Sequence, residues 1–281
     1  MKSPTQTMFV ENTEPKTPKR KVKAAEVDQD VQLGSADVNI LNLPSNGKLW
    51  YPETVEYREI MVGDEEILAL ASADTYSKTL NSVVKAVLND CEFYTEMTVY
   101  DRDFALVWLW ANNYSPIKEV NITCRSPKCK HTETHKVDLT KVPVEKIKPN
   151  TPQSFKLPLK RGSLSEVHIR LNTVQDELNV EAYMTANPKS NYNMLMLVSS
   201  IDIGFDLTLE KKLEWVRDNV TGGELGIVRN FHKHFKYGVA DVIDHKCSKC
   251  GEVTKGQIPF QAEDILYPTV STDFEELLRA E

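Results

Sequence analysis

From Val38 onward the apolar residues recur in two rhythms. Alternation with polar residues, as in 55–62 (VEYREIMV), predicts a half-buried strand. A repeat every three or four positions, as in Leu80, Val83, Val84, Val87, Leu88 and Cys91, predicts one face of a helix ending at Cys91. Cys91 is thereby expected in the core. Upstream, VNILNLPSNGKLWYP (38–52) reads as a short strand with a turn at Asn46-Gly47. Asp64 is placed to cap the helix EEILALA (65–71). DRDFALVWLWANN (101–113) is apolar nearly all round, which predicts a helix in the centre of a core. IKEVNITCRSPKCKHTETHKVDL (117–139) then reads as strand, tight loop, strand.

The same order recurs further on. FKLPL (155–159) and VHIRL (167–171) are strand-like. Thr173 with Asp176 forms a capping box that starts a helix running to about Ala186. Tyr192–Ile201 reads as a second helix, and Leu209, Leu213, Val216 and Val220 as the core face of a third. Thr221 with Glu224 opens a fourth, with Leu225, Val228, Phe231 and Phe235 on one face. VADVIDHKCSKCGEVTKGQIPF (239–260) is again strand, tight loop, strand. GDEEILALA (63–71) sits where VQDELNVEA (174–182) sits in the later stretch.

The pattern predicts an α+β fold of two similar helix-rich halves, 39–140 and 155–270, each bearing a cysteine hairpin. Residues 141–154 hold three prolines and few core candidates and read as a linker. Residues 1–38 read as a disordered tail and 271–281 as a C-terminal tail. The bases Lys16, Lys19, Arg20, Lys21 and Lys23 form a cluster flanked by acids, read as part of a solvated tail.

Composition narrows the function. The 281 residues carry a net charge of −7, which argues against a dedicated nucleic-acid binder. There is no apolar run of the ~18 residues a spanning helix needs, and no apolar stretch of signal-peptide length near the N-terminus. No membrane partner and no export are expected. P-loop, GxGxxG, HExxH and GxSxG patterns are absent from the sequence, so neither catalysis nor a small-molecule substrate is expected. His232 and His234, two residues apart on a helix, face different sides and read as a polar face.

The cysteines carry the remaining chemistry. Cys247-Ser-Lys-Cys250-Gly251 has the spacing of a zinc knuckle, and Gly251 permits the left-handed backbone that closes such a turn. Cys124-Arg-Ser-Pro-Lys-Cys129 is wider by two residues but lies in the same strand-loop-strand setting. If the two hairpins meet, Cys124, Cys129, Cys247 and Cys250 complete one zinc-ribbon-like structural site. Three alternatives stay open. His131 and His135 with the first pair, or His245 with the second, would make separate sites; the pairs bind no metal; or CxxC is redox-active, disfavoured because it lies in a hairpin and not at a helix start.

The runs LPSNGKLWYPETVEYREIMVGDEEILA (43–69), DRDFALVWLWANNYSPIKEVNITCRSPKC (101–129) and VDL (137–139) resemble the baseplate hub assembly family of T-even-like tailed phages. ELGIVRNFHKHFKYGVADVIDHKCSKCG (224–251) with QIPF fits the family's closing hairpin. The chain departs from that pattern at Asn46 and Trp50 and in the wider first cysteine pair. The resemblance implies a late morphogenesis protein of a bacteriophage. Its partners would be other hub proteins of the tail baseplate, met in the host bacterial cytoplasm during assembly. It would then stay in the virion tail or leave as a chaperone. The other reading is a nucleic-acid-associated zinc-ribbon protein, motivated by Lys16–Lys23, Lys128 and Lys130.

Overall fold

A computed structural model describes residues 39–71, 76–114, 116–162, 164–240 and 242–258. The expected N-terminal tail with its basic cluster, and the C-terminal tail, lie outside the described residues. Strand β1 (Asn39–Asn42) pairs antiparallel with β2 (Thr54–Tyr57). In the loop between them Asn46 and Gly47 both take left-handed φ, 50° and 64°, a conformation these two residue types tolerate best.

β2 stops at Tyr57, short of the strand expected over 55–62, because Arg58 turns away to serve the next helix. Its guanidinium forks onto Asp64 at 2.6 and 2.9 Å, and Asp64 also accepts the Met61 N–H at 2.8 Å. Helix α1 (Val62–Ala69) therefore starts ahead of Asp64, which sits in its first turn and is not its cap. Helix α2 (Tyr76–Val87) also ends before Cys91, because Asn89 and Asp90 both take φ 51°. Cys91 is still buried, 6% exposed, and burial pushes its thiol up to about 11. Helix α3 (Val99–Asn113) starts two residues earlier than expected, is capped by Thr98, and buries Ala105, Leu106, Val107, Leu109 and Trp110.

Strands β3 (Ile117–Thr123) and β4 (Thr132–Asp138) form the first hairpin, in register from Ile117↔Asp138 to Thr123↔Thr132. The 141–154 connection is held in place: β5 (Val144–Glu145) lies in it, and Val142 and Ile147 are buried, contrary to the expectation of few core residues. Strands β6 (Phe155–Pro158) and β7 (Glu166–Ile169) follow, then helix α4 (Val174–Ala186) behind the expected Thr173/Asp176 capping box. Helix α5 (Tyr192–Ser199) ends before Ile201, which instead opens β8 (Ile201–Asp202) and pairs with Ile169 of β7. Helices α6 (Leu209–Asn219) and α7 (Gly222–Phe235) match their predicted apolar faces, with Leu213, Val216, Val228 and Phe231 buried. Strand β9 (Gly238–Val239) pairs with β5, and β10 (Val242–Lys246) with β11 (Val253–Gln257) forms the second hairpin.

His232 departs from its polar-face reading: its Nε2 is buried without a hydrogen-bond partner. Desolvation lowers the ring to about 4, against a smaller opposing pull from Asp176.

Seven helices and small antiparallel sheets make the described chain α+β. Several contacts tie its earlier and later parts together. The starts of α3 and α4 are stitched by Val99 N–H to Asn172 O (3.1 Å), Val174 N–H to Met97 O (2.9 Å) and Gln175 N–H to Thr95 O (2.9 Å). Beside them Arg102 pairs with Glu177 at 2.5 Å, with little solvent on either side chain. The Tyr51 hydroxyl, which donates to Asp101 at 2.7 Å, lies in a buried cluster with Thr98 and Tyr237. A further tie is the meeting of the two hairpins.

Candidate metal centre

Each hairpin ends in a turn that carries two cysteines, and the two turns close in the same way. In the first, the Cys124 N–H donates to His131 O at 2.8 Å; in the second, the Cys247 N–H donates to Glu252 O at 2.9 Å. In each case the acceptor is two residues past the second cysteine. The residue between is left-handed in both turns: Lys130 at φ 46° and Gly251 at φ 74°. Gly251 thus has the expected conformation, and the wider first loop reaches the same closure. Its two additional residues are accommodated by Cys129 N–H and Lys130 N–H bonds to Ser126 O.

Backbone amides of these turns point at the sulfurs. The N–H groups of Ser126, His131, Cys250 and Glu252 serve Cys124, Cys129, Cys247 and Cys250 respectively. For Cys247 the amides of Cys250 and Lys249 hold the thiol down to about 7. Such donors favour thiolate, the form that binds metal, but at Cys124, Cys129 and Cys250 burial and the neighbouring thiols outweigh them and push the thiol up.

The four sulfurs lie within 4.8 Å of one another. Cys124 Sγ is 3.6 Å from Cys250 Sγ, and Cys129 Sγ is 3.8 Å from Cys247 Sγ. A tetrahedron with thiolates ~2.3 Å from a zinc ion has edges of ~3.8 Å. The spacing is far longer than the ~2.05 Å of a disulfide, and all four cysteines are free. Both short edges run from one hairpin to the other, so an ion at the centre would join them. Cys124 and Cys247 are each 2% exposed, and Cys250 faces solvent. The donor set offers four soft ligands, which suits a closed structural site.

The structure does not assemble the separate histidine-containing sites. His245 Nε2 lies 2.8 Å from Glu133 Oε1, and its ring packs edge-on against His135 with centroids 4.9 Å apart. Among the described residues, the four cysteines are the group of metal-ligating side chains drawn together.

Two contributors had no signal in the sequence. Glu133 of β4 reaches across to the second turn and accepts the Ser248 N–H at 2.9 Å. The Ser248 hydroxyl and N–H, then His245, hold Glu133 down at about 2. Gly256 of β11 is the other: a Cβ there would come within 2.5 Å of Ile122 Cδ1 of β3. Glycine lets the inner faces of the two hairpins approach closely enough for the sulfurs to meet.

An α+β chain whose two hairpins converge on four free thiols carries a group that could hold one metal ion. The profile of the T4 bacteriophage base plate protein family matches residues 36–261. The chain belongs to that family of phage baseplate proteins. No curated protein and no solved structure shows significant similarity to it.

Proposed function

We propose that this protein is a non-enzymatic assembly or structural component of the central hub of a contractile-tail baseplate, clasped by one structural zinc ion. The observation that carries the reading is the convergence of four thiols from two distant hairpins in a baseplate-family chain. Zinc has the thiolate preference and tetrahedral geometry for that donor set, and four protein ligands leave no open position for chemistry. Its partners are other baseplate hub proteins, met in the infected bacterial cytoplasm, and its place of action is the virion tail. Two tests apply. Metal analysis of the purified protein is expected to give one zinc per chain; two per chain, or none after anaerobic preparation, would refute the clasp. Co-expression with hub components followed by pull-down is expected to recover a complex, and recovery of none would remove the hub assignment.

The two parts that the clasp joins are, in this reading, copies of one plan with boundaries at 39–140, 141–154 and 155–270. Paired details support it. Arg170 forks onto Asp176 at 2.5 and 3.0 Å as Arg58 does onto Asp64, with the same spacing of six residues. The next acid accepts a tyrosine hydroxyl in both cases: Tyr114 to Glu65 at 2.7 Å and Tyr192 to Glu177 at 2.8 Å. The helices that lead to the cysteine hairpins each receive a loop amide on a first-turn carboxylate, Ser45 N–H on Asp101 (3.1 Å) and Lys160 N–H on Glu224 (2.7 Å).

A further inference from the structure

Among the described residues, the two most exposed large apolar side chains are Leu70 at 87% and Val62 at 71%, both at helix α1. Met61 and Ile67 beside them are 60% and 53% exposed. Val62, Glu66 and Leu70 follow one another at four-residue steps with Ile67 alongside, so α1 turns an apolar face outward. Large apolar side chains gathered on one exposed face mark a contact surface.

The same chain shows how such a helix start is covered. The two Arg–Asp forks set residues 59–62 ahead of α1 in correspondence with 171–174 ahead of α4. Leu171, Asn172, Thr173 and Val174 are all buried, Val174 fully, because the start of α3 lies against them. Glu59, Met61 and Val62 are exposed. The Val174 and Gln175 N–H groups donate to Met97 O and Thr95 O, whereas those of Val62 and Gly63 have no hydrogen bond among the described residues.

The covering element has a counterpart as well. Thr98 with Asp101 at α3 corresponds to Thr221 with Glu224 at α7. Met97 and Thr98 are each 0% exposed, but Val220 and Thr221 are only half-buried and Gly222 is exposed. Glycine is a poor helix former, yet Gly222 and Gly226 stand one turn apart in α7, and a Cβ at either would meet nothing within 4 Å. The chain thus holds one joined pair of helix starts, α3 with α4, and two uncovered ones, bulky and apolar at α1 and bare at α7. Among the described residues no hydrogen bond joins those two within the chain. We propose that the α1 start of one copy docks on the α7 start of a second copy of this chain, with Met61 and Val62 over Gly222 and Gly226. This repeats between chains the contact that α3 and α4 make within one. The proposal rests on the two-copy plan proposed above, and on neither the hub assignment nor the metal. Because the two faces differ, the contact is head-to-tail, and each added copy leaves one face of each kind open until a ring closes.

Sedimentation and light scattering of the full-length protein test the contact, using two variants that each spoil one face. Val62→Asp and Gly222→Glu both place an acid in the first turn of a helix, which the helix dipole favours, at positions open to solvent. Thermal melts and metal content of the same samples check that both are folded. The wild-type protein is expected to associate beyond a dimer as its concentration rises. Each variant alone should associate about a hundredfold more weakly, the effect of an unpaired charge in a closing apolar contact. An equal mixture of the two should regain association but stop at a dimer, because one intact α7 face meets one intact α1 face and the other two are spoiled. Three results would overturn the proposal. One is a monomeric wild type, as when the faces serve another protein or close on each other within the chain. Another is association that neither variant weakens. The third is a mixture no better than its components, the mark of a symmetric contact. Superposing residues 39–140 on 155–270 in an experimental structure judges the two-copy plan separately.

Discussion

Gly256 and Ile122 meet where the two hairpins touch, and a Cβ at position 256 would lie only 2.5 Å from the Ile122 side chain. Gly256→Ala is expected to destabilise the protein by about 1–3 kcal/mol through overpacking. Ile122→Val in the same chain removes the closest methyl and should recover part of the loss in denaturant melts. His232 makes a different demand. Burial keeps it neutral, its folded value is about 4, and the ordinary value is 6.5. Between those values the unfolded chain binds more protons, so this contribution is complete above pH 6.5 and is lost as pH falls toward 4. It amounts to at most about 3 kcal/mol. His232→Leu should flatten the pH dependence of unfolding in that window. The four cysteines of the candidate site are legible as residues, because thiol pairs at knuckle spacing announce their chemistry. Glu133 and Gly256 are not, because one is an ordinary polar strand position and the other an ordinary strand glycine until the opposing hairpin arrives.

At the scale of elements, local chemistry decides most of what is readable. The capping boxes at Thr173/Asp176 and Thr221/Glu224 start α4 and α7 where the sequence places them, because the signal lies within four residues. Misplaced boundaries trace to pairings and turns that the apolar pattern does not carry. Asp64 has the pattern of a cap, but Arg58 and the Met61 N–H occupy its carboxylate, which moves the helix start upstream. Ile201 continues an apolar run yet pairs with Ile169 and becomes a strand. The first knuckle offers a test at this scale. Lys130 holds a left-handed conformation that Gly251 adopts in the second turn at no steric cost. Lys130→Gly should relieve that strain, less the added freedom of the unfolded chain, for a net gain of about 0.5–1 kcal/mol in thermal unfolding. Metal content should stay unchanged.

For the molecule as a whole, the proposed metal ion would close a connection of more than a hundred residues between Cys129 and Cys247. Chelation, or Cys247→Ser with Cys250→Ser, is expected to cost several kcal/mol, of the order known for structural sites. Hydrogen exchange should rise in both hairpins together, while the stitched starts of α3 and α4 stay protected. By itself, the sequence determined the mixed helix and strand content, the burial of Cys91, the two thiol turns and the likeness to baseplate proteins. Each is carried by periodicity or by motifs a few residues long. The tertiary structure alone decided that Cys124 and Cys129 face Cys250 and Cys247, that Glu133 spans the gap, and that 141–154 is bound to the fold through β5. Those outcomes depend on groups brought together across tens to more than a hundred residues, and no local pattern encodes that distance.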